Sequence, residues 1–234
     1  MAFAVTAMTI TYTAAGRAEE AYGTPPTDLK EYLDRLVSAY PDKINGYNGD
    51  FLILKNGIKF RISDGRTDKT FQELLDRPDV DDMFYVRYPV EAAPRQPPKN
   101  SDPGRVRFEP LFVAMYGDCD KNEVARNLRA ISWLPRHGGG SVSVTTANGV
   151  ADALDRVSRE LDTLSSDLIK YLIPLAGAYS CRKVAASSVR SMHAYGAAVD
   201  INTKSANYWR WAARDRDRPR WRNQIPASIV RIFE

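Results

Sequence analysis

The chain has 234 residues, with 33 Lys+Arg against 29 Asp+Glu, a formal net charge of +4, and 44% hydrophobic residues. These globular values exclude disordered, collagen-like and low-complexity classes, and a chain this long buries on the order of 70% of its unfolded surface. A charge of +4 gives no dedicated nucleic-acid groove, two cysteines cannot form a four-Cys zinc site, and no apolar run reaches the roughly 18 residues of a membrane span.

Met1 to Tyr12 is apolar, Thr-rich and uncharged, and Gly16-Arg17-Ala18 carries small residues at signal-peptidase spacing. No basic n-region precedes it, so residues 1–24 read either as a signal remnant or disordered leader, or as a frayed terminal strand. Leu29, Tyr32, Leu33, Leu36 and Val37 fall at helical spacing between Thr27 or Asp28 as N-cap and the stop at Pro41. Phe51–Leu54 and Ile58–Ile62 flank Lys55-Asn56-Gly57, the pattern of a tight β-hairpin. Phe71–Leu75 reads as a short helix and Met83–Val86 as a strand or short buried segment. Residues 25–92 are thus an N-terminal helix and hairpin region.

Pro94, Pro97, Pro98, Pro103 and Gly104 make 93–104 the best linker and boundary. Residues 105–234 follow. Helices are expected near Pro110–Tyr116 and over Asn122–Trp133, with a glycine loop at His137–Gly140 and a strand at Ser141–Thr146. A longer helix is expected over Val150–Tyr171, short strands near Ala178–Arg182 and Ala197–Asn202, and helices near Ser205–Ala213 and Pro226–Glu234. Strands and helices do not alternate regularly. The fold class is therefore α+β: a small antiparallel sheet with flanking helices, plus an N-terminal α+β extension.

The sharpest local signal is Ser191-Met192-His193-Ala194-Tyr195-Gly196-Ala197-Ala198-Val199-Asp200. His193 and Asp200 are seven apart. On one helix that is roughly 10 Å, too far to share an ion at ~2 Å. On one strand the odd spacing puts them on opposite faces. The chain must turn between them, and Gly196 supplies the freedom. Beyond it, Ala197, Val199 and Ile201 alternate with Ala198, Asp200 and Asn202, a core face against a polar one. A His nitrogen and an Asp oxygen suit Zn²⁺, which in catalysis takes three protein ligands and an open position. Ser191 is placed to orient a neighbouring group.

The pattern S-x-H-x-x-G-x-A-x-D resembles the zinc-ligand motif of the VanY-like D-alanyl-D-alanine carboxypeptidases and the related peptidoglycan L-alanyl-D-glutamate endopeptidases. Gly177–Arg182, Tyr208–Trp211, Asn223–Pro226 and Ile229–Glu234 look like further parts of that family, from roughly Phe108 onward. The resemblance implies that His193 and Asp200 ligate zinc and that Arg182 stabilises the tetrahedral oxyanion, with Ser191 and Tyr195 as substrate contacts. A guanidinium beside a metal does match developing negative charge. The implied reaction is hydrolysis of peptidoglycan stem peptides by metal-activated water, in an exported protein that is periplasmic or associated with the cell wall.

The family's third ligand is a His in a D/E-x-x-H segment whose acid is the general base. It lies downstream of the final apolar helix, within which this sequence stops at Glu234. The sequence is therefore expected to be a fragment of a longer protein, with a naturally shortened, inactive form as the alternative. A non-catalytic cell-wall-binding relative and an L-Ala-D-Glu endopeptidase are the other readings. Cys119 and Cys181 are either two buried thiols or, in an exported protein, a disulfide bracing the strand of Arg182. Trp209 and Trp211 are expected in the core, the Arg210–Arg222 run on a solvated face, and His137 exposed.

Overall fold

The computed structural model describes residues 23–86, 104–185, 187–205 and 224–234. Residues 1–22 of the leader, most of the proline-rich stretch, Trp209, Trp211 and the arginine run lie outside them.

The first helix, α1 (Leu29–Ala39), starts where Asp28 accepts the Glu31 N–H at 3.2 Å, as the capping pattern predicts. Strands β1 (Ile44–Asn48), β2 (Phe51–Leu54) and β3 (Lys59–Arg61) form an antiparallel sheet in that order. The β2–β3 hairpin turns at Asn56-Gly57 with Gly57 at φ 85°, the left-handed geometry that favours Gly there. Strand β1 has no alternating apolar pattern, so nothing in its sequence announced it. Helix α2 (Phe71–Asp76) begins with a reciprocal capping box between Thr70 and Glu73. Residues 81–84 form a 3₁₀ turn rather than a strand.

Helix α3 (Glu109–Tyr116) carries Pro110 in its first turn, where a missing N–H costs nothing. The expected helix over 122–133 is absent. Only α4 (Glu123–Arg126) is helical, and β4 (Leu128–Ser132) pairs along its whole length with β5 (Ser141–Thr145). Strand pairing overrides a helix-compatible composition here. The expected helix 150–171 is also broken, into α5 (Val150–Leu161) and α6 (Ser166–Ile169). Thr163, in the break, turns its hydroxyl onto the Glu160 carbonyl at 2.7 Å, and such local bonds compete with helical propagation. Helix α7 (Ala227–Phe233) closes the chain.

Two apolar clusters form the main core. One joins Leu33, Ile44, Leu52, Leu54 and Ile62 to Leu111, Met115, Tyr116 and Tyr195. Residues on both sides of the proline-rich stretch therefore share it. The other packs Trp133, Leu134, Val142, Val144, Leu161, Leu172 and Ile229, with Val199 and Ile201 against it. The motif segment lies between the two, its Val199 and Ile201 turned inward as their alternation predicts.

Beneath α2, Lys69 is 3% exposed and bonds Asp64 at 3.0 Å, Asp79 at 2.9 Å and Asp82 at 2.7 Å. Burial opposes its charge. The three carboxylates more than offset this and hold the ammonium above its ordinary range. Asp81 beside them is buried, with Oδ1 unpartnered. Burial, reinforced by the charges of Asp82 and Asp79, raises its pKa. An acid whose folded pKa is raised weakens the folded state at pH values above it. Asp81→Asn is accordingly expected to stabilise by about 1–2 kcal/mol at pH 7. The gain should fade as the pH falls toward the unfolded carboxyl's pKa of about 3.9. Urea unfolding at pH 7 and pH 4 checks this, and a less stable variant at pH 7 refutes it.

Candidate metal centre

His193 sits on a single 3₁₀ turn, Met192–Tyr195. Ser191 caps it, its hydroxyl accepting the His193 N–H at 3.4 Å, and Gly196 closes it at φ 65°. Gly196 is required twice over. A β-carbon there would lie 2.6 Å from Leu128 Cδ2 and 3.1 Å from the Thr145 nitrogen. That close approach lets Thr145 N–H donate to the Gly196 carbonyl at 2.9 Å, docking the turn on β5. Gly196→Ala combines left-handed strain with overpacking and is expected to cost about 2–4 kcal/mol. Equilibrium unfolding measures it, and a loss below about 0.5 kcal/mol would contradict the packing described, since ordinary surface substitutions fall in that range.

After Gly196 the chain runs extended and Asp200 pairs with Gly177. Asp200 N–H donates to the Gly177 carbonyl at 2.8 Å, and Ala176 N–H to the Asp200 carbonyl at 2.8 Å. The two expected strands are thus extended segments joined by one bridge at Gly177–Asp200, and a second bridge, Lys183–Arg190, pairs the first segment with the residues before the motif turn. Gly177 also leaves room beside the carboxylate, since a β-carbon there would stand 3.3 Å from Asp200 Oδ2.

These segments bring the two candidate ligands together. His193 Nε2 is 3.2 Å from Asp200 Oδ2. The other ring nitrogen, Nδ1, is 2.6 Å from the Ala178 carbonyl oxygen. A carbonyl can only accept, so Nδ1 carries the proton and Nε2 faces the carboxylate. The Nε2 lone pair and the Asp200 carboxylate then converge on one point, as two ligands of a metal ion do. Ligand atoms at ~2.0–2.1 Å on a tetrahedral metal stand about 3.3 Å apart, so the pair fits one edge of such a site. The imidazole is buried and the carboxylate half-exposed, which leaves the pair open on the Asp200 side.

The remaining site residues are placed as follows. Arg182 is exposed, and its carbonyl accepts the Ser191 N–H at 3.0 Å, so it sits on the segment paired with the motif. Ser191 is buried, with its hydroxyl committed to the turn. Tyr195 is 1% exposed, its ring 5.8 Å from Phe112 and 5.9 Å from Tyr116 in the first core cluster. Burial first, then the charge of Glu109, pushes its hydroxyl up to about 12. His137 Nε2 lies 3.3 Å from the Asp162 carbonyl oxygen. Cys119 and Cys181 form a disulfide, with Cα atoms 5.7 Å apart. The Ala178 carbonyl that orients the imidazole carries no side-chain signal and was invisible in the sequence.

Among the described residues, no third His, Cys, Asp or Glu joins His193 and Asp200. Two other groups of potential ligands exist. Cys119, Asp120 and Cys181 include the disulfide sulfurs, which are not thiolates, and in the group Asp79, Asp81 and Asp82 the first and last are already paired with the Lys69 ammonium.

Residues 185–234 match the family model of D-alanyl-D-alanine carboxypeptidase. The matched stretch holds Ser191, His193, Tyr195 and Asp200 and excludes Cys181 and Arg182, so it is shorter than the expected resemblance from Phe108 onward. No curated protein and no solved structure matches the chain. At the level of the family, the match supports a peptidoglycan-acting metallopeptidase.

Proposed function

We propose that this chain carries part of a zinc-dependent peptidase centre that hydrolyses peptidoglycan stem peptides in the manner of a D-Ala-D-Ala carboxypeptidase. The observation that carries the reading is the pairing of His193 Nε2 with Asp200 Oδ2 at 3.2 Å, the opposite ring nitrogen being committed to Ala178. A backbone carbonyl on the second nitrogen is how protein sites fix a ligating imidazole. Zinc held there would supply a Lewis acid and a bound water of lowered pKa.

The chain's own residues divide the remaining work. His193 and Asp200 would hold the ion. Arg182, exposed on the paired segment, is suited to the carboxylate or developing oxyanion of a peptide, which a guanidinium can meet with two parallel hydrogen bonds. Ser191 shapes the turn beneath His193. A third ligand and a proton-accepting carboxylate are not found among the described residues around the pair. That observation favours one second reading, a cell-wall-binding relative without hydrolysis. The disulfide supports export to an oxidising compartment, periplasmic or at the cell wall.

Zinc titration, followed through the ¹⁵N resonances of the His193 ring, tests the proposal. Zinc is expected to shift Nε2 and leave Nδ1 protonated, and His193→Ala and Asp200→Asn should each lower affinity at least tenfold. Zinc binding unchanged in both variants would end the reading. Incubation with stem peptides then separates hydrolysis from binding alone.

A further inference from the structure

We infer that Arg190 is a positioning residue for His193, acting with the Cys119–Cys181 disulfide as a two-handed clasp on the segment that orients the imidazole. The inference rests on the peptidase reading above and assigns Arg190 a part in that same site.

The His193 ring is aimed by the Ala178 carbonyl, so its direction depends on how residues 177–184 are registered against 189–193. That register is held by few bonds: Ser180 N–H to the His193 carbonyl at 3.1 Å, Ser191 N–H to the Arg182 carbonyl at 3.0 Å, and Val184 N–H to the Val189 carbonyl at 2.9 Å. The tip and its flanks, Lys183, Ala185, Ser187 and Ser188, are charged, small or polar, and the apolar Val184 and Val189 beside them are only partly buried. An isolated two-stranded ribbon of this kind is marginally stable, and a one-residue slip would turn every side chain to the other face.

A third piece of chain grips both halves of the ribbon. The turn at residues 118–120 takes one half through Cys119, bonded to Cys181. It takes the other through Arg190, whose Nη2 lies 2.8 Å from Asp118 Oδ1 and 2.6 Å from Asp120 Oδ2. Glu109, at the start of α3, adds its carboxylate to the Arg190 N–H at 2.9 Å, and Arg107 donates to the Arg190 carbonyl at 3.1 Å. The Arg190 side chain is 14% exposed and that of Asp118 16%, so this pair is largely shielded from water, while the Asp120 carboxylate is exposed. Nη2 meets both aspartates while Nε faces Glu109 Oε1 at 3.9 Å, so the planar guanidinium spans three carboxylates and fixes position along the chain in a way a point charge does not. Slippage would have to strain the covalent bond on one side and break the ion pairs on the other. The clasp thus fixes Ala178 opposite His193, and Nε2 toward Asp200.

The test reads the ring itself. In oxidised, metal-free wild-type protein, the His193 Nδ1–H is expected as a slowly exchanging signal in ¹H–¹⁵N spectra. In Arg190→Leu, with the disulfide intact, it should exchange at least tenfold faster or vanish, and zinc affinity should fall about tenfold, as for loss of an outer-shell partner. Arg190→Lys, which keeps the charge without the fork, should fall between the two. A purely structural Arg190 would lower the melting temperature and leave the ring proton protected; that result overturns the inference. If Arg190→Leu does not fold, the Asp118→Ala/Asp120→Ala protein removes the carboxylates that Arg190 grips, and retention of the ring proton there overturns it equally. If wild-type protein shows the protected proton but binds no zinc at His193, the peptidase reading falls and the assignment of Arg190 stands or falls on the variants.

Discussion

Lys69→Met is expected to destabilise the protein by about 3–5 kcal/mol at pH 7, the usual penalty for stranding buried charges by removing one partner. Asp82 is fully buried, Asp79 partly so and Asp64 exposed, and all three direct an oxygen at the Lys69 ammonium. Methionine keeps the length of the side chain and removes only the cation. The pH dependence follows from the directions of the shifts. Lys69 has a raised folded pKa, so its contribution is complete below the unfolded value of about 10.4 and is lost as the pH climbs through the raised one. Asp64 is lowered: its own burial opposes the shift, but the Arg66 N–H and the Lys69 ammonium outweigh it. Its contribution is present above about pH 3.9 and fades below. The network should therefore stabilise most between about pH 4 and 10. Denaturant unfolding of both proteins across that range measures it. A difference under 1 kcal/mol at pH 7 would show that the cluster is held by something other than the ammonium.

The second large effect is expected from Cys119→Ala/Cys181→Ala. The bond closes a loop with a sequence separation of 62 residues. In the chain-entropy account a loop of that length contributes about 4 kcal/mol. A double mutant losing less than 1 kcal/mol in denaturant unfolding would mean that the reduced, unfolded chain is already constrained. The same variant should keep its Arg190 ion pairs, so the far half of the ribbon stays anchored while the Arg182 half loosens. Amide exchange at Ser180 and Ser191 should rise together, since each donates across that ribbon.

Much of the candidate site was legible from a dozen residues. The odd spacing of His193 and Asp200, with Gly196 between them, required a turn, and the turn observed has Gly196 in the left-handed region. The alternation after Gly196 assigned Val199 and Ile201 to the core, where they pack. Three things were hidden for identifiable reasons. The Ala178 carbonyl is a main-chain group and leaves no mark on composition. Arg190 was one cation among many until its partners at 118 and 120 came near, 70 residues away in sequence. Tyr195, read as a substrate contact, is seated by aromatic neighbours on α3 that no local pattern links to it. In the fold, α1, the β2–β3 hairpin and α2 follow from caps and turn residues, whereas β4 looked helical because its partner strand decides it.

The seating of Tyr195 ties the chemistry to a distant part of the chain. Its ring shares a cluster with Leu33, Ile44, Leu52, Leu54 and Ile62, two residues from the imidazole. A protease that clipped the chain near the prolines and released the first 86 residues would strip water-excluding cover from the turn that carries His193. Grafting residues 104–234 onto another protein would do the same. The N-terminal sheet is in this sense a buttress: swapping it between relatives would demand apolar side chains that fit the cluster holding Tyr195 and its α3 neighbours.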